Sequence, residues 1–486
     1  MKVKYCILLV IVLLLGLFGC KKEVVDEEVD PDSRYRTYYQ LLVYSFADGN
    51  GDGIGDFKGI IDKLDYLENL GIQGLWLSPI NKASSYHAYD VNNYYAINGR
   101  YIVEVDGVTY DFPKLIEECH KRDIHVILDL VLNHTSSNNK WYSEHRNWYS
   151  SDNKFGFPEL NFDLPEVREA VKEVGYYWLD QGADGFRLDA AMWVYNGGSN
   201  QHTKNYEFWT EWTTAMRKHK KDCYIIAEVL DSNSSLFYSY AQGGFDSTFD
   251  FKTINSVVRA VKGTSKDYAD AVANGIAATH AINENYILAR TLSNHDIGRF
   301  SDTGSNGHVS QKWEIILGNV INVLTPGNTF IYYGDELGMK GTCPGGWEDM
   351  SYRTPMPFQT ERTDSNAYFY TFNGDRSTTS VTFSGNTAEE DMNDPNSIYN
   401  KLKEATALKN SELVFKKGTI ESIDDLNIAL SGYSLYLDGR TVYVIFNPTA
   451  NDITYDFSGD VLLSSQSASG QSVILGQGDY IVIDVK

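Results

Sequence analysis

The feature that most constrains the fold is an alternation of short apolar segments with amphipathic helical segments, which begins near Tyr39. The helical segments repeat apolar residues with a period near 3.6, as Phe57, Ile60, Leu64 and Leu67 do. Eight strands are predicted between them: QLLVYSF (40–46), IQGLWLS (72–78), HVILDLVL (125–132), GFRLDA (185–190), YIIAEV (224–229), STFDF (247–251), LARTLS (288–293) and TFIYYG (329–334). Eight strands in βα alternation are typical of an α/β protein with a (β/α)8 TIM barrel.

Two regions interrupt the alternation. Residues 135–164 follow the third predicted strand without a clear helix and are rich in Trp, Tyr, Asn and Ser, so they are predicted to form a small insertion. After a last helix near 397–410, the chain shows only short alternating strands with Gly and Asn turns. We therefore predict a barrel built from residues 37–134 and 165–410, and a C-terminal antiparallel β-sandwich at 411–486.

The beginning of the chain is typical of an export signal. Two lysines precede an apolar run, Ile7 to Phe18, which is short for a membrane-spanning helix. The run ends in LFGC, similar to a bacterial lipoprotein signal, which predicts removal of residues 1–19 and lipid attachment to Cys20; a simple anchor helix is the alternative. Residues 20–36 are charged and lack periodicity, as expected of a flexible tether. The protein is thus expected outside the cytoplasm, lipid-anchored to a bacterial membrane at the cell surface.

Composition narrows the classes of partner. The net charge of −23 disfavours nucleic acid, because phosphate binding requires clustered Lys and Arg. Aromatic residues make up 13% of the chain, which suits either a large core or ring faces for ligand stacking. Cys119, Cys223 and Cys343 are widely spaced, so they predict buried thiols rather than a zinc site, with one disulfide still possible.

Polar side chains cluster where four of the predicted strands end. They are Asn133 and His134 after the third strand, Arg187 and Asp189 at the fourth, Glu228 at the fifth, and His295 and Asp296 after the seventh. Each alone fits a helix cap or a buried ion pair. The C-terminal ends of barrel strands meet on one rim, where the chemistry of such barrels lies, and like charges gathered there favour a functional site.

These segments resemble a known family. DLVLNH, GFRLDAA, IIAEVLD and LSNHD are similar, in the same order, to the four signature regions of the α-amylase family of glycoside hydrolases. GIQGLWLSPI (71–80), HAYDV (87–91) and GNTFIYYGDELGM (327–339) resemble its supporting motifs, and the likeness extends from about residue 37 to 410.

The resemblance implies a role for each residue of the rim. Asp189 would be the nucleophile of a retaining mechanism and Glu228 the acid/base, with their carboxyl groups about 5–5.5 Å apart. Asp296 would hold sugar hydroxyls and help distort the ring. Arg187 would keep the nucleophile ionised, and the same sugar would be bound by the side chains of Tyr89, His134 and His295.

One segment departs from the pattern of the family. Similar amylases often have Lys-His where this chain has Met192 and Trp193. The lysine helps bind sugar beyond the cleavage point, and the histidine carbonyl ligates a calcium ion that Asn133 would also face. The departure weakens the expectation of that second calcium.

The stretch DGNGDGIGD (48–56) predicts a cation loop. An EF-hand is excluded, because position 12 from Asp48 is Gly59 instead of a bidentate Glu and a strand precedes the loop. Turn chemistry, with one carboxylate capping the next helix, is the alternative. The resemblance implies a structural Ca²⁺ loop between the first strand and the first helix, with these ligands: Asp48, Asn50, Asp52, the Ile54 carbonyl and Asp56.

The expected function is an endo-acting α-amylase, a monomer that cleaves α-1,4-glucosidic bonds in starch and maltooligosaccharides. The alternatives of the same class are an exo-acting α-glucosidase, a cyclomaltodextrinase or neopullulanase, and a glucan transglycosylase. A non-catalytic glycan-binding surface lipoprotein is disfavoured, because all three acids are present.

Overall fold

The computed structural model describes residues 30–151, 154–195, 201–302, 308–342, 348–358, 382–384 and 386–485. Pro31–Arg34 form a 3-10 helix in a unit that ends at Arg34, and residues 35–486 form one compact unit. The predicted signal segment, the lipidation site Cys20 and most of the tether lie outside the described residues. In the described part of the chain, none of the helices has the length and apolar character needed to cross a membrane.

The compact unit is built around eight parallel strands. They are β1 (Thr37–Leu41), β2 (Gly74–Leu77), β3 (His125–Leu130), β4 (Gly185–Leu188), β5 (Tyr224–Ala227), β6 (Ser247–Phe249), β7 (Ile287–Ala289) and β8 (Thr329–Tyr332). Neighbours pair in the order β7-β6-β5-β4-β3-β2-β1-β8, and a single bridge between Arg290 and Thr329 closes the ring between β7 and β8. The predicted (β/α)8 barrel is confirmed.

The first strand lies earlier than predicted. It ends at Leu41, and Val43–Phe46, which the sequence places in the second half of the strand, form one helical turn instead. Both segments are fully buried. A continuous apolar run therefore fits a buried strand and a buried turn equally well, and periodicity does not separate them.

Helices follow the strands around the barrel. They are Phe57–Asp62 and Leu64–Asn69, Phe112–His120, Pro165–Asp180, His202–His219, Ser234–Ser239, Ile254–Val261 and Tyr268–His280, Lys312–Val323, and Ile398–Ser411. Caps fix several of their starts: Asp56 accepts from the Gly59 amide and Asp111 from the Lys114 amide, and Pro165 occupies the first turn of its helix.

The barrel interior is an aromatic layer beneath the C-terminal rim. The Tyr38 ring stacks on Phe330 with centroids 4.7 Å apart, and Trp76 packs on Phe249 at 5.0 Å. Ile127, Tyr224, Ile226 and Ala289 complete this layer. Because these large side chains fill the barrel, it is a packed core and its polar groups are confined to the ends.

The connections on the C-terminal side of the barrel are elaborate. Asn81–Ala83 pair with Val91–Ile97, and Val103–Val105 pair with Val108–Tyr110, so two hairpins stand between β2 and the next helix. The insertion was predicted without a helix, but Lys140–Glu144 form a short α-helix and Arg146–Trp148 a 3-10 turn. Further short elements follow β4, β5 and β8: Ala191–Trp193, Tyr240–Gly243, Asp335–Leu337, Lys340–Thr342, Glu348–Arg353, Thr382–Ser384, Ala388–Asn393 and Val414–Lys417.

The C-terminal region consists of antiparallel sheets, as predicted. Five strands pair in the spatial order Thr419–Ser422, Ser431–Leu437, Arg440–Phe446, Tyr480–Val485, Gly459–Ser464, and a second sheet pairs Ile453–Asp456 with Ser472–Leu475. Ile445, Ile481 and Ile483 of the first sheet meet Val473 and Leu475 of the second in a buried cluster. The region therefore has its own apolar core. The residue limits of the barrel, insertion and C-terminal domains stay predictions.

Cys119 and Cys223 are buried free thiols. Burial raises the pKa of each thiol, which makes both unreactive. Cys343 lies outside the described residues.

Candidate active site

Arg187 lies at the centre of the rim. It is fully buried on β4 directly opposite Asp129 of β3, and its Nη1 lies 2.6 Å from Asp129 Oδ1. The same Nη1 lies 2.7 Å from Asp189 Oδ1, and Nη2 lies 2.9 Å from Glu228 Oε2. Because β4 pairs with β5, the ends of these two strands bring Asp189 and Glu228 to one guanidinium.

This concentration of charge shifts the acidity of its members. Burial raises the pKa of Asp189, the carboxylates of Glu228 and Asp129 raise it further, and Arg187 acts in the opposite direction. Burial likewise raises the pKa of Asp129, again against the effect of Arg187. One cation thus serves three carboxylates, an arrangement that is costly in a fold and common at active sites.

The backbone after β4 is held in a tight turn. Ala190 has a positive φ of 47°, a conformation that residues other than glycine rarely adopt. In this conformation its amide donates to Glu228 Oε2 at 3.0 Å, and the Ala191 amide donates to the Glu228 carbonyl at 3.2 Å. The turn after β4 therefore positions Glu228 through its side chain and its backbone.

His295, which follows β7, connects β1 with the loop of the first hairpin after β2. Its Nδ1 accepts from the Gln40 amide at 2.8 Å, so the proton lies on Nε2. Nε2 lies 2.5 Å from Tyr89 Oη and 2.9 Å from Asp296 Oδ2, and Tyr89 Oη donates to Asp129 Oδ2 at 2.8 Å. The Tyr89 ring stacks on His295 with centroids 5.3 Å apart. The structure thus brings Tyr89, His295 and Asp296 into contact with the Arg187 group.

Arg353 contacts the candidate site and was not predicted from the sequence. Its Nη2 lies 2.8 Å from Asp296 Oδ1, its Nε donates to the His295 carbonyl at 3.0 Å, and its Nη1 donates to Tyr86 Oη at 3.3 Å. Burial acts to raise the pKa of Asp296, but His295 and Arg353 together hold it below its usual range. The side chain of Asp296 is 45% exposed, so this carboxylate reaches the open cleft.

His87 is a second missed residue, although it lies within the quoted motif HAYDV. Its ring lies 5.9 Å from that of Tyr89. Burial and, to a smaller extent, the charge of Arg353 lower its pKa to about 3, so the imidazole is neutral at neutral pH. A neutral imidazole at this position can donate to or accept from a sugar hydroxyl.

His134 lies apart from the carboxylates. Its Nε2 contacts the Tyr89 carbonyl at 3.2 Å, and its ring stacks on Phe157 with centroids 5.0 Å apart. Burial lowers its pKa to about 4. In this conformation its hydrogen bond goes to the backbone carbonyl of Tyr89, so His134 helps to position Tyr89. Asn133 Oδ1 beside it is buried without a hydrogen-bond partner among the described residues.

The predicted cation loop is tightly folded on itself. Asp48 accepts hydrogen bonds from the amides of Asn50, Gly51 and Gly53, and Asp52 accepts from Ile54 at 2.8 Å. Asp56 is fully buried and accepts from the Gly49 and Gly59 amides. Burial, together with repulsion from Asp48 and Asp52, raises its pKa to about 6. Asp56 therefore caps the helix, as the turn alternative requires, and is also a buried carboxylate without a cationic partner of its own in the loop.

In the described residues, no group of three or more His, Cys, Asp or Glu side chains is placed so that it could hold a metal ion. A cation at residues 48–56 would thus depend on amide and backbone oxygens as well as carboxylates.

Comparison with known proteins agrees with this geometry. The family model described as "Alpha amylase, catalytic domain" matches residues 40–155 and 147–418. Alpha-amylase 3 of Dictyoglomus thermophilum is 30% identical over 94% of this chain and 94% of its own length. A 4-alpha-glucanotransferase of Thermotoga neapolitana is 27% identical over 86% of this chain and 97% of its own length.

The fold comparison gives the same result. The crystal structure of an alpha-amylase from H. orenii superposes with a TM-score of 0.80, at 30% identity, and covers 93% of this chain and 100% of that chain. The matched range contains the acids, the arginine and the histidines of the rim. The chain therefore belongs to the α-amylase family of glycoside hydrolases.

Proposed function

We propose that the protein is an endo-acting α-amylase that hydrolyses α-1,4-glucosidic bonds in starch and maltooligosaccharides. The observation that carries the proposal is the contact of Asp189 and Glu228 with one buried guanidinium, that of Arg187, at the ends of adjacent strands. Two carboxylates brought this close fit a retaining mechanism, in which one attacks and the other transfers protons. The relative named Alpha-amylase 3 supports the substrate class.

In the first step, an Asp189 oxygen attacks the anomeric carbon while Glu228 protonates the departing glycosidic oxygen. Arg187 favours the ionised form of Asp189 against the effect of burial. In the second step, Glu228 takes a proton from water, and the water oxygen displaces Asp189 from the anomeric carbon. We propose that Asp296, whose carboxylate is exposed, and His87 bind hydroxyls of the sugar that is being transferred, and that His295 holds Asp296 in position.

The experiment that tests endo action is the product profile from amylose, pullulan and cyclodextrin. Mixed oligosaccharides formed early from amylose, with pullulan untouched, are the expected result. Glucose alone in the first minutes would refute endo action and favour an exo-acting α-glucosidase. Rapid opening of cyclodextrin would favour a cyclomaltodextrinase or neopullulanase.

A glucan transglycosylase is the second candidate. It is favoured by the similarity to a 4-alpha-glucanotransferase over nearly the whole length of that relative. Both activities share the covalent intermediate and differ in whether water or a sugar hydroxyl accepts the glycosyl group. Incubation of maltotriose separates them: a transferase forms longer oligosaccharides with little rise in reducing ends, whereas a hydrolase raises reducing ends from the start.

We further propose that residues 48–56 bind Ca²⁺. The loop offers only hard oxygen donors: carboxylates at Asp48, Asp52 and Asp56, the amide of Asn50 and the carbonyl of Ile54. The hydrogen bonds that the carboxylates accept leave further lone pairs for a cation. A cation would offset the charge of buried Asp56 and the repulsion of its neighbours. Bound Ca²⁺ would supply structural cross-linking of the loop and no step of the reaction.

The location is proposed from the sequence signal. Lipid attachment at Cys20 would hold the enzyme at the outer side of a bacterial membrane, where starch is met. Cys20→Ser should shift the protein from the membrane fraction to the soluble fraction after cell disruption. Retention of the variant with the membranes would contradict lipidation at this residue.

A further inference from the structure

A cavity of about 230 Å³ lies on the outside of the barrel, where β7 adjoins β8. Ala289 of β7 belongs to the layer inside the barrel, so its neighbours Leu288 and Arg290 point outward, and both line the cavity. Lys416 and Lys417, at the end of the short helix before the C-terminal sheets, line it as well. The lining residues include none of those described at the candidate active site. This space is called the β7–β8 cavity below.

Arg290 is 1% exposed, and one nitrogen of its guanidinium lacks an acceptor. Its Nε donates to the Pro326 carbonyl at 2.7 Å, and its Nη1 donates to Asp250 Oδ2. Its Nη2 is buried and has no hydrogen-bond partner in the part of the chain that the structure describes. A buried N–H group without an acceptor is costly, and more so when it carries charge. Arg290 therefore has unused capacity to bind an anion at the wall of the cavity.

Positive charge exceeds negative charge around this arginine. Lys409 is buried and donates to the Thr325 carbonyl at 2.7 Å, directly before the carbonyl that Arg290 binds. Burial and, to a smaller extent, the charges of Arg290 and Lys416 hold the pKa of Lys409 far below its ordinary value. Among the described residues, Asp250 is the one carboxylate in an ion pair with Arg290. In a chain with a net charge of −23, this is a local excess of positive charge.

A phosphate group suits the chemistry of the β7–β8 cavity. Arginine binds phosphate through a planar fork of N–H groups, and lysine binds it as a point charge. Glu284 is exposed and is the one carboxylate among the described residues that line the cavity. Apolar side chains and two tyrosines complete the lining: Tyr35, Ile276, Tyr286 and Leu288. Cations at a cavity with partly apolar walls attract an anion more strongly than cations on an open surface, because solvent screens them less.

Arg290 also makes the single bridge between β7 and β8. Its amide donates to the Asn328 carbonyl at 2.6 Å, and its carbonyl accepts from the Phe330 amide at 2.7 Å. The Lys416 carbonyl accepts from the Gly327 amide at 2.9 Å, in the loop before β8. An anion bound by the side chains of Arg290 and Lys416 would therefore connect β7 with a segment that is itself bonded to the start of β8.

We propose that the β7–β8 cavity binds a phosphate group through Arg290, Lys416 and Lys417, and that this binding stabilises the closure of the barrel. Inorganic phosphate and a sugar phosphate both present this group, so either can be its source. The site lies outside the candidate active site, and the proposal does not depend on the glycosidase function.

Calorimetric titration with inorganic phosphate and with glucose 1-phosphate, at one ionic strength set with NaCl, tests the binding. The wild type should bind at least one of them, whereas Lys416→Ala/Lys417→Ala should bind it at least tenfold more weakly and hydrolyse maltooligosaccharides at the wild-type rate. Lys218→Ala removes an exposed lysine outside the cavity and should change the affinity less than twofold. Tighter binding of the ester would support a sugar phosphate as the source, and tighter binding of phosphate would support the free ion. Binding of neither compound, or equal affinity in the double variant, would overturn the proposal.

Hydrogen exchange tests the effect on the barrel. The bound compound should slow exchange of the Arg290 and Phe330 amides at least threefold in the wild type and not in the double variant, while the amides of Gly185–Leu188 stay unaltered. Equal slowing in all strands would indicate general stabilisation by the salt, and it would overturn the proposed effect on closure, as would no slowing. Arg290→Gln should abolish binding; if this variant does not fold, the lysine double variant still decides the proposal.

Discussion

Buried carboxylates at the two ends of the barrel have pKa shifts of opposite direction. At the N-terminal end, Asp184 immediately precedes β4 and contacts Lys220 at 2.7 Å, His120 at 2.8 Å and the Val126 amide at 2.8 Å. Although burial opposes it, the His120 hydrogen bond and the Lys220 ammonium hold the pKa of Asp184 below its usual range. Five residues later, at the other end of the same strand, Asp189 has a raised pKa. One strand therefore carries a carboxylate that its surroundings stabilise and one that they destabilise.

This difference between the two barrel ends indicates that charges at the N-terminal end stabilise the fold and that charges on the C-terminal rim serve function. Asp246, just before β6, repeats the N-terminal pattern, since it contacts Arg217 at 2.8 Å and accepts from the Ile225 amide at 2.8 Å. On the C-terminal rim, three carboxylates share Arg187. Charges at the N-terminal end hold the fold together, while the crowded rim is maintained by the rest of the fold for the sake of reactivity.

The largest expected effect is on the rim. Asp189→Asn and Glu228→Gln should each reduce hydrolysis of maltooligosaccharides about a thousandfold or more, because covalent and proton-transfer catalysis are lost. Asp189→Asn should not lower the melting temperature, since a neutral amide removes a charge that burial disfavours. Initial rates and thermal denaturation measure the two effects. Activity within tenfold of the wild type would contradict the assignment.

The matched substitution at the N-terminal end of the barrel, Asp184→Asn, should lower stability and leave activity nearly unchanged. Asp184→Asn should reduce the free energy of unfolding by about 3 kcal/mol, near the lower limit for breaking a buried pair because a quarter of the Lys220 side chain is exposed. The rate of hydrolysis should stay within about threefold of the wild type.

The pH dependence of this loss checks its electrostatic origin. A carboxylate with a lowered pKa stabilises the fold above its unfolded pKa and loses that effect as the pH falls. The difference in denaturant stability between wild type and Asp184→Asn should therefore shrink below about pH 4. A difference that does not depend on pH would indicate a packing defect.

For the cation loop, residues 48–56, the dependence of stability on pH should have the opposite sign. The pKa of Asp56 is raised to about 6, so the folded protein binds more protons than the unfolded chain between about pH 4 and 6. Without Ca²⁺, this group should cost about 3 kcal/mol of stability as the pH rises through that window. Added Ca²⁺ should remove the loss, and Asp56→Asn should lack it. Identical melting curves with chelator and with Ca²⁺ at pH 7 would contradict cation binding.

The smallest effect concerns the third acid. Arg353→Lys keeps the charge but cannot bond Asp296, the His295 carbonyl and Tyr86 together, as the guanidinium does. We expect kcat/KM for maltooligosaccharides to fall about tenfold, or about 1.4 kcal/mol, with little change in melting temperature. A large loss of stability without a loss of rate would place Arg353 with the charges of the N-terminal end instead.

The sequence predicted the barrel and the acids of the rim because both depend on local patterns. Strands and helices have their own periods, and Asp189 and Glu228 directly follow buried strands, so counting strands placed them on one rim. Arg353 follows the last strand by about twenty residues in a segment without periodicity, and only the folded chain places it against Asp296. Its charge in an otherwise apolar stretch, YRTPMPF, was the one available signal.

The direction in which a side chain points was the second feature of the site that could not be predicted from the sequence. His134 was expected to donate to sugar, but in the fold its ring is turned to the Tyr89 carbonyl and stacked on Phe157. Spacing in the sequence fixes on which strand a residue lies and leaves its rotamer to the neighbouring loops. His87 was missed for the same reason, although it stands two residues before Tyr89.

The closure of the barrel has a mechanical consequence. A single bridge, between Arg290 and Thr329, joins β7 to β8, so the pairing of these two strands is the weakest in the barrel. Asp189 and Glu228 stand on the continuous part, where strand pairing keeps their spacing rigid. Asp296 follows β7 and Arg353 follows β8, so their ion pair connects the segments after these two weakly paired strands. We therefore expect the distance between Asp189 and Glu228 to vary less than the position of Asp296 relative to them.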